Sequence, residues 1–250
     1  MKKHQRIAII SDIHGNMTAL KSVIEDINDR GVDQTICLGD VVGKGPHSAE
    51  ALDLCLKFCH LIVKGNWDDF LSNKETVLTE FISYYRQQLG EERLKILRNL
   101  PEVTGFWLSG RYVRLFHANP HSLYDRVYGD SLIEKRMSLF EFPRLQSTED
   151  YSGRTDIVGY GDIHGAYLQH LDGQRVLFNA GSVGNSCDSI AMASYIILEG
   201  VLNSQQEDDF SVQFYRVKYD RDLAIQSALE SDLIDKELYI KEIETGLYCR

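Results

Sequence analysis

Carboxylates, imidazoles and one amide recur along this chain in short loops punctuated by glycine. Asp12 and His14 flank a single residue in Ser11-Asp12-Ile13-His14-Gly15-Asn16. A turn there can aim a carboxylate oxygen and an imidazole nitrogen at one cation, and Gly15 lets the backbone bend sharply. Taken alone, capping of the following helix by Asn16 or Thr18 is the stronger reading. Gly39-Asp40-Val41-Val42-Gly43-Lys44-Gly45-Pro46 describes either a tight loop that brings backbone close to a ligand or an ordinary crossover. In Gly65-Asn66-Trp67-Asp68-Asp69 the aspartates can start a helix, while Asn66 adds an amide oxygen. His117 stands by itself, and Asp162 and His164 lie between Gly161 and Gly165. Five such loops together point to a cation site more strongly than any one of them. Oxygen and nitrogen donors without thiolate suit Mn, Fe, Zn, Co or Ni better than Mg or Ca.

Each of these loops follows an expected strand. Strands are expected over 6–10, 34–38, 60–63 and 112–116, and again over 156–158, 175–178, 194–198 and 211–217. Amphipathic helices are expected over 18–28, 48–57 and 221–230, the first with Leu20, Val23, Ile24 and Ile27 at helical spacing. Residues 70–100 look helical up to Pro101, and 122–144 look mostly helical as well. Alternation of strand, polar loop and helix is the pattern of βαβ units in a parallel sheet. Ligand sites in open α/β sheets assemble at the carboxyl ends of the strands, where these loops fall. The tetrapeptide Asp-Ile-His-Gly occurs at 12–15 and at 162–165 in unlike surroundings, so it marks two similar loops.

The chain has 250 residues, with 27 Lys and Arg against 37 Asp and Glu and a formal charge of -10. Such an acidic balance makes nucleic acid an unattractive partner, because no broad phosphate-tracking surface is available. It leaves room for a small phosphorylated ligand, since bound cations reverse the local field. No apolar run approaches the roughly 18 residues of a membrane span. The basic start is followed only by Ile7 to Ile10, too short for a signal h-region of about 7–15 residues. Five cysteines without a Cys-x-x-Cys pair read as reduced thiols, with Cys55 and Cys59 on one helix face. A cytoplasmic location follows as an expectation.

Taken in order, these motifs resemble the calcineurin-like metallophosphoesterases. Asp12-Ile13-His14-Gly15-Asn16, Gly39-Asp40 with Gly45-Pro46, Gly65-Asn66-Trp67-Asp68, His117 and Gly161-Asp162-Ile163-His164 have that family's order and spacing. Asn179-Ala180-Gly181-Ser182-Val183-Gly184 is similar to its Asn-Pro-Gly-Ser-Val-Gly stretch. Gly-Asp-Val-Val-Gly-x-Gly-Pro and the ending Phe214-Tyr215-Arg216-Val217-x-Tyr219-Asp220 are similar to the small prokaryotic, diadenosine tetraphosphatase-like branch.

The resemblance implies a four-layer α/β/β/α sandwich of two mixed sheets flanked by helices. The segments at about 70–110 and 121–150 lie outside the resemblance and read as helical, cap-like insertions over the active site of a single domain over 1–250. By the same pattern Asp12, His14 and His164 bind one metal, Asn66 and His117 bind another and Asp40 bridges the two, while the carboxylate of Asp162 can replace an imidazole on the second. The expected cofactors are two transition metal ions, divalent or mixed-valence, with Mn or Fe preferred and Zn, Co or Ni as alternatives. A hydroxide shared by two cations is nucleophilic at neutral pH and attacks phosphorus in line.

Two positions depart from the family pattern. Trp67 stands where a proton-donating His is common, and Asp162 where the first His of Gly-His-x-His is common. An indole donates an N–H but transfers no proton, so His121 is the candidate replacement acid and Asp68 a second candidate catalytic group. Asn16, Lys44 and Trp67 are candidate substrate-binding residues. The implied function is hydrolysis of a small phosphorylated molecule, a nucleotide or dinucleoside polyphosphate. The alternatives are a non-catalytic scaffold on the same fold and a phosphodiesterase for cyclic nucleotides. A homodimer is compatible with this reading.

Overall fold

The computed structural model describes residues 4–148, 151–172 and 174–249. Positions 1–3 of the basic start, and positions 149 and 150 at the end of the 121–150 segment, lie outside the described residues.

Strand β1 (Gln5–Ile10) explains the layering. Ile7 and Ile9 are buried against Leu115, Ile157 and Phe178 of a second sheet, whereas Ala8 and Ile10 are buried against Leu20, Val23 and Leu52 of helices. A strand covered on both faces is apolar throughout rather than alternating. The first sheet has the order β10 (Ser211–Val217), β9 (Ala193–Gly200), β1, β2 (Gln34–Cys37), β3 (Leu61–Ile62). The second has the order β4 (Val103–Leu108), β5 (Arg111–Phe116), β6 (Ile157–Tyr160), β8 (Arg175–Asn179), β7 (Tyr167–Leu171). Both are mixed. β1, β2 and β3 run parallel in one, β5, β6 and β8 in the other, and the remaining neighbours are antiparallel.

Helices α1 (Met17–Asp29), α2 (Ser48–Phe58), α4 (Glu80–Arg98, interrupted at Gly90), α6 (Arg221–Glu230) and α7 (Lys236–Thr245) contribute to the core on the outer face of the first sheet. In α1, Asn16 accepts from Ala19 N, and Ala19, Leu20, Val23 and Ile27 form the buried face. Over the second sheet the covering layer is thinner. Val127, Leu139 and Phe140 pack on Phe116, Val158 and Tyr160. With α3 (Asn66–Ser72) and α5 (Ile133–Ser138), the described residues form seven helices and two five-stranded sheets, the four-layer fold expected.

Several elements differ from the expectation. The 122–144 stretch carries one six-residue helix, α5, and is otherwise irregular. Gly129 and Pro143 interrupt it, and the Ser131 hydroxyl accepts from Tyr128 N in a turn. Strands β4 and β7 and helix α7 were not foreseen. β7 lies at the sheet edge, where half-exposed polar residues replace an apolar run. Among the described residues no helix is long and apolar enough to cross a membrane.

Candidate metal centre

The carboxyl ends of the parallel strands of both sheets meet at one place. β1 delivers Asp12 and His14, β2 Asp40, β3 Asn66, β5 His117 and β6 Asp162 and His164. Asp12 N donates to Gly39 O and His14 N to Asp40 O, each at 3.0 Å, which ties the first two loops together. His117 Nδ1 reaches Leu38 O at 2.8 Å and so joins the two sheets. Asp12, His14, Asp40, Asp162 and His164 all take positive φ, between 47° and 64°. Asp and His tolerate this region better than most residues. Five strained residues at one spot are nonetheless a cost, of order 1–3 kcal/mol each, that marks a functional cluster.

The side chains converge. Asp12, His14 and His164 bring their donor atoms together as one set, and Asp12, Asp40 and His117 as another. Asp40 faces both: Oδ2 lies 3.5 Å from His14 Nε2, and Oδ1 lies 3.4 Å from His117 Nε2. His164 Nε2 is 3.2 Å from Asp12 Oδ1, and Asp162 Oδ1 is 3.9 Å from His117 Nε2. All these side chains are buried. Asp12 Oδ1, Asn66 Oδ1 and His117 Nε2 are buried without a hydrogen-bond partner. An orphaned buried polar atom costs about 1–3 kcal/mol. Three such atoms, all ligand types, are the fit expected of a cation site, and the residues present fit two cations.

The backbone sets the imidazoles for this task. Nδ1 of His14, His117 and His164 lies 3.2, 2.8 and 2.5 Å from the carbonyl oxygens of Val42, Leu38 and Asn185. With Nδ1–H donating outward, each Nε2 lone pair is turned toward the centre, as in metal-bound histidines. Charge follows the same geometry. Burial, reinforced by Lys44, holds His14 well below the ordinary imidazole range. Burial also opposes protonation of His117, but the Asp40 carboxylate overcomes it and raises that ring well above the range. His164 is pushed up to about 9, with burial and Lys44 opposed by Asp12. Asp12 itself is lowered to about 2, where His164 outweighs burial. The carboxylates therefore call for positive charge at the centre, which a proton or a cation can supply.

Asp68 has a different place from the catalytic one expected of it. Its oxygens accept from the backbone N–H groups of Asp40, Val41 and Gly65, at 2.8, 3.1 and 2.9 Å, with Val42 at 3.4 Å. It therefore positions the loop that carries Asp40. Burial and the Asp40 charge push it up to about 7. Gly65 matters for the same contact, because a Cβ there would overlap Asp40 Oδ1 and Asp40 N.

The other expected residues divide. Lys44 is buried beside the cluster, with Nζ 3.4 Å from His164 Nε2 and 3.1 Å from Asn185 Oδ1. Asn16 spends both ends of its amide on structure, accepting from Ala19 N and donating to Gly184 O, so it is a helix cap rather than a substrate contact. Trp67 lies edge-on to His14 at 5.8 Å and packs with Phe70, Phe81 and Tyr85. His121 turns elsewhere: its Nε2 bonds Glu141 at 2.9 Å and its backbone N donates to Asn119 Oδ1 at 2.9 Å. It is not placed as the replacement acid.

Sequence reasoning missed Arg126, whose Nε donates to both oxygens of Asp162 at 3.2 and 3.1 Å. It also assigned no role to Ser182 and Asn185. Ser182 Oγ donates to Asp12 O and accepts from Asn185 N, while Asn185 Nδ2 donates to the buried Glu242 of α7. The 179–184 motif was visible, but not which loop it braces.

Residues 6–200 match the calcineurin-like phosphoesterase superfamily domain, and the chain belongs to that superfamily. The class that fold and site define is a metal-dependent phosphoesterase. MJ0912, an uncharacterized protein of Methanocaldococcus jannaschii, is 29% identical over 249 residues, spanning 91% of this chain and 93% of that protein. In fold the chain is similar to a metallophosphoesterase from Sphaerobacter thermophilus, with a TM-score of 0.74, 24% identity and coverage of 97% and 99% of the two chains. The hypothetical protein PH1004 from Pyrococcus horikoshii OT3 has a TM-score of 0.75 at 16% identity, covering 98% of this chain and 99% of that one.

Proposed function

We propose that the protein is a dinuclear phosphohydrolase of the cytoplasm that cleaves a phosphoanhydride in a nucleotide or dinucleoside polyphosphate. The observation that carries this reading is the set of orphaned buried ligand atoms, Asp12 Oδ1, Asn66 Oδ1 and His117 Nε2, two of which belong to one donor set with Asp40. Asp12, His14 and His164 would hold one cation, Asn66, His117 and Asp162 the other, and Asp40 would serve both. A donor set of carboxylate, amide and imidazole favours Mn or Fe. When bound, the two cations supply Lewis-acid polarisation of the phosphoryl group and a water of lowered pKa.

The protein's own groups do the rest. Lys44 supports the phosphoryl oxygens electrostatically from a buried position beside His164. Water adds to phosphorus, the P–O bond to the bridging oxygen breaks, and its electron pair leaves with the nucleoside phosphate. The proton lost by water passes to solvent. No imidazole stands where Trp67 packs, so a leaving group that needs no protonation is favoured, and a phosphoanhydride provides one. The five cysteines are free thiols, which supports a reducing compartment.

The test is a panel of phosphate esters and anhydrides with Mn, Fe, Co and Mg. Turnover of anhydrides that chelation abolishes and Mn or Fe restores is the expected result. Absence of both bound metal and turnover would contradict the proposal.

A further inference from the structure

A cavity of about 390 Å³ opens beside the metal centre, within the range of small-ligand sites. Its floor includes Asp162 and His164, and its walls include Lys44, Arg126, Tyr128 and Tyr248. This face of the centre has room for a ligand and carries two cationic side chains and two phenol rings.

The fold brings these groups together from distant segments. Arg126 and Tyr128 belong to the irregular chain over the second sheet. Tyr248 arrives from the other side, because Gly246 ends α7 in the left-handed region with its N–H on Glu242 O. Cys249 N then bonds Glu242 Oε1 and turns the chain back. Arg126 lies beside Tyr248 and within the field of Tyr128. Its Nε is spent on Asp162, which leaves the terminal amino groups of the guanidinium uncommitted to that carboxylate. Tyr128 and Tyr248 are 50% and 54% exposed, so their rings are open to a ligand.

We infer that Arg126, Tyr128 and Tyr248 form a leaving-group subsite that takes a nucleoside 5′-phosphate. This deepens the function proposed above and rests on it. With the reacting phosphoryl group over Asp162 and His164, the next phosphate along the substrate meets the Arg126 guanidinium, whose planar fork matches a phosphate. The base then meets the tyrosine rings, which accept any base by its π-face. Arg126 stabilises the charge that accumulates on the departing phosphate, which compensates for the absence of an acid at Trp67. Arg126 is thereby a specificity residue as well as the partner of Asp162.

The experiment measures binding of adenosine 5′-monophosphate and of inorganic phosphate to Mn-loaded protein by calorimetry, with metal content and a melting curve for each variant. Wild type should bind the nucleotide more tightly than phosphate. Arg126→Ala should weaken the nucleotide by about 10- to 100-fold, as expected for a lost charge-assisted bond, and lower the ratio of nucleotide to phosphate affinity. Tyr128→Ala and Tyr248→Ala, at half-exposed positions that need not disturb folding, should each lower that ratio by about 5-fold or more if a ring stacks on the base. A wild type that binds nucleotide no better than phosphate would overturn the inference. So would tyrosine variants with an unchanged ratio. An Arg126→Ala protein that loses metal and both ligands in equal measure would show Arg126 to be only a support for Asp162. Failure of wild type to hydrolyse any ester or anhydride contradicts the catalytic reading instead, and the binding ratios still decide the subsite.

Discussion

His14 and His164 face each other across the centre, with Nε2 atoms 3.1 Å apart and stacked rings 4.9 Å between centroids. Both Nδ1 atoms face backbone carbonyls. With each Nδ1 donating, two lone pairs oppose one another, and something positive has to lie between or beside them. A proton does this when no cation is bound, and a cation ligated by both rings and Asp12 does it better.

Metal binding should therefore stabilise the fold. At a metal concentration a hundredfold above the dissociation constant the gain is about 2.7 kcal/mol. For a protein of this size that is roughly 5–11 °C in Tm. Melting curves of chelated and Mn-loaded protein check this, and coincident curves would oppose it.

Asp68 offers a way to separate positioning from ligation. Asp68→Asn keeps one acceptor oxygen but turns an amide N–H toward backbone donors at Asp40, Val41 and Gly65. The expected loss is about 1.5–3 kcal/mol of stability, as for hydrogen bonds to a charged group. Metal affinity should fall with it, because the Asp40 loop shifts. Unaltered metal affinity in a destabilised variant would mean that the Asp40 loop holds its place without Asp68.

Asp162 tests the departure from the commoner ligand set. Asp162→Ala should lose one metal equivalent and also free Arg126 from its ion pair. Asp162→His should retain two metals with altered preference and keep activity. Elemental analysis of both variants decides. Full stoichiometry in the alanine protein would reduce Asp162 to a loop residue that anchors Arg126.

The ligand candidates were legible because chemistry and backbone coincide there. Asp12, His14, Asp40, Asn66, His117, Asp162 and His164 follow five strands, and the structure brings Asp12, His14, Asp40, His117, Asp162 and His164 to one cluster at those strand ends. The part of Asp68 in starting a helix was legible, and its bond from Gly65 N bears that out; its bonds to the Asp40 loop were not, because those partners lie 26–28 positions away. Arg126 gave no signal, because the chain around it has no helical or strand period and its partner Asp162 is 36 positions distant. The helical reading of 122–144 failed for a related reason. Val127, Leu139 and Phe140 are apolar because they cover a sheet, and they do so without helical spacing.

Trp67 is the remaining departure. It packs against Phe70, Phe81 and Tyr85, and a Cβ on Gly43 would run into its ring. Trp67→Ala should thus cost up to about 3 kcal/mol, less than a fully buried Trp because the ring is only partly buried. Without an acid at this position, rates should fall steeply as leaving-group pKa rises, by about 10²–10⁴ for poor leaving groups. A leaving-group series on wild type measures the slope. A flat dependence would indicate a proton donor elsewhere on the chain.

The central claim is that one carboxylate, Asp40, serves two cations, its Oδ2 toward His14 and its Oδ1 toward His117. The most direct test is the metal stoichiometry of chelated and Mn-reconstituted wild type beside Asp40→Asn, read by elemental analysis with circular dichroism as a check on folding. Two equivalents in wild type, and a larger loss in Asp40→Asn than in any other single ligand variant, with activity abolished, is the result the account predicts. Two tightly held metals and wild-type turnover in Asp40→Asn would contradict it.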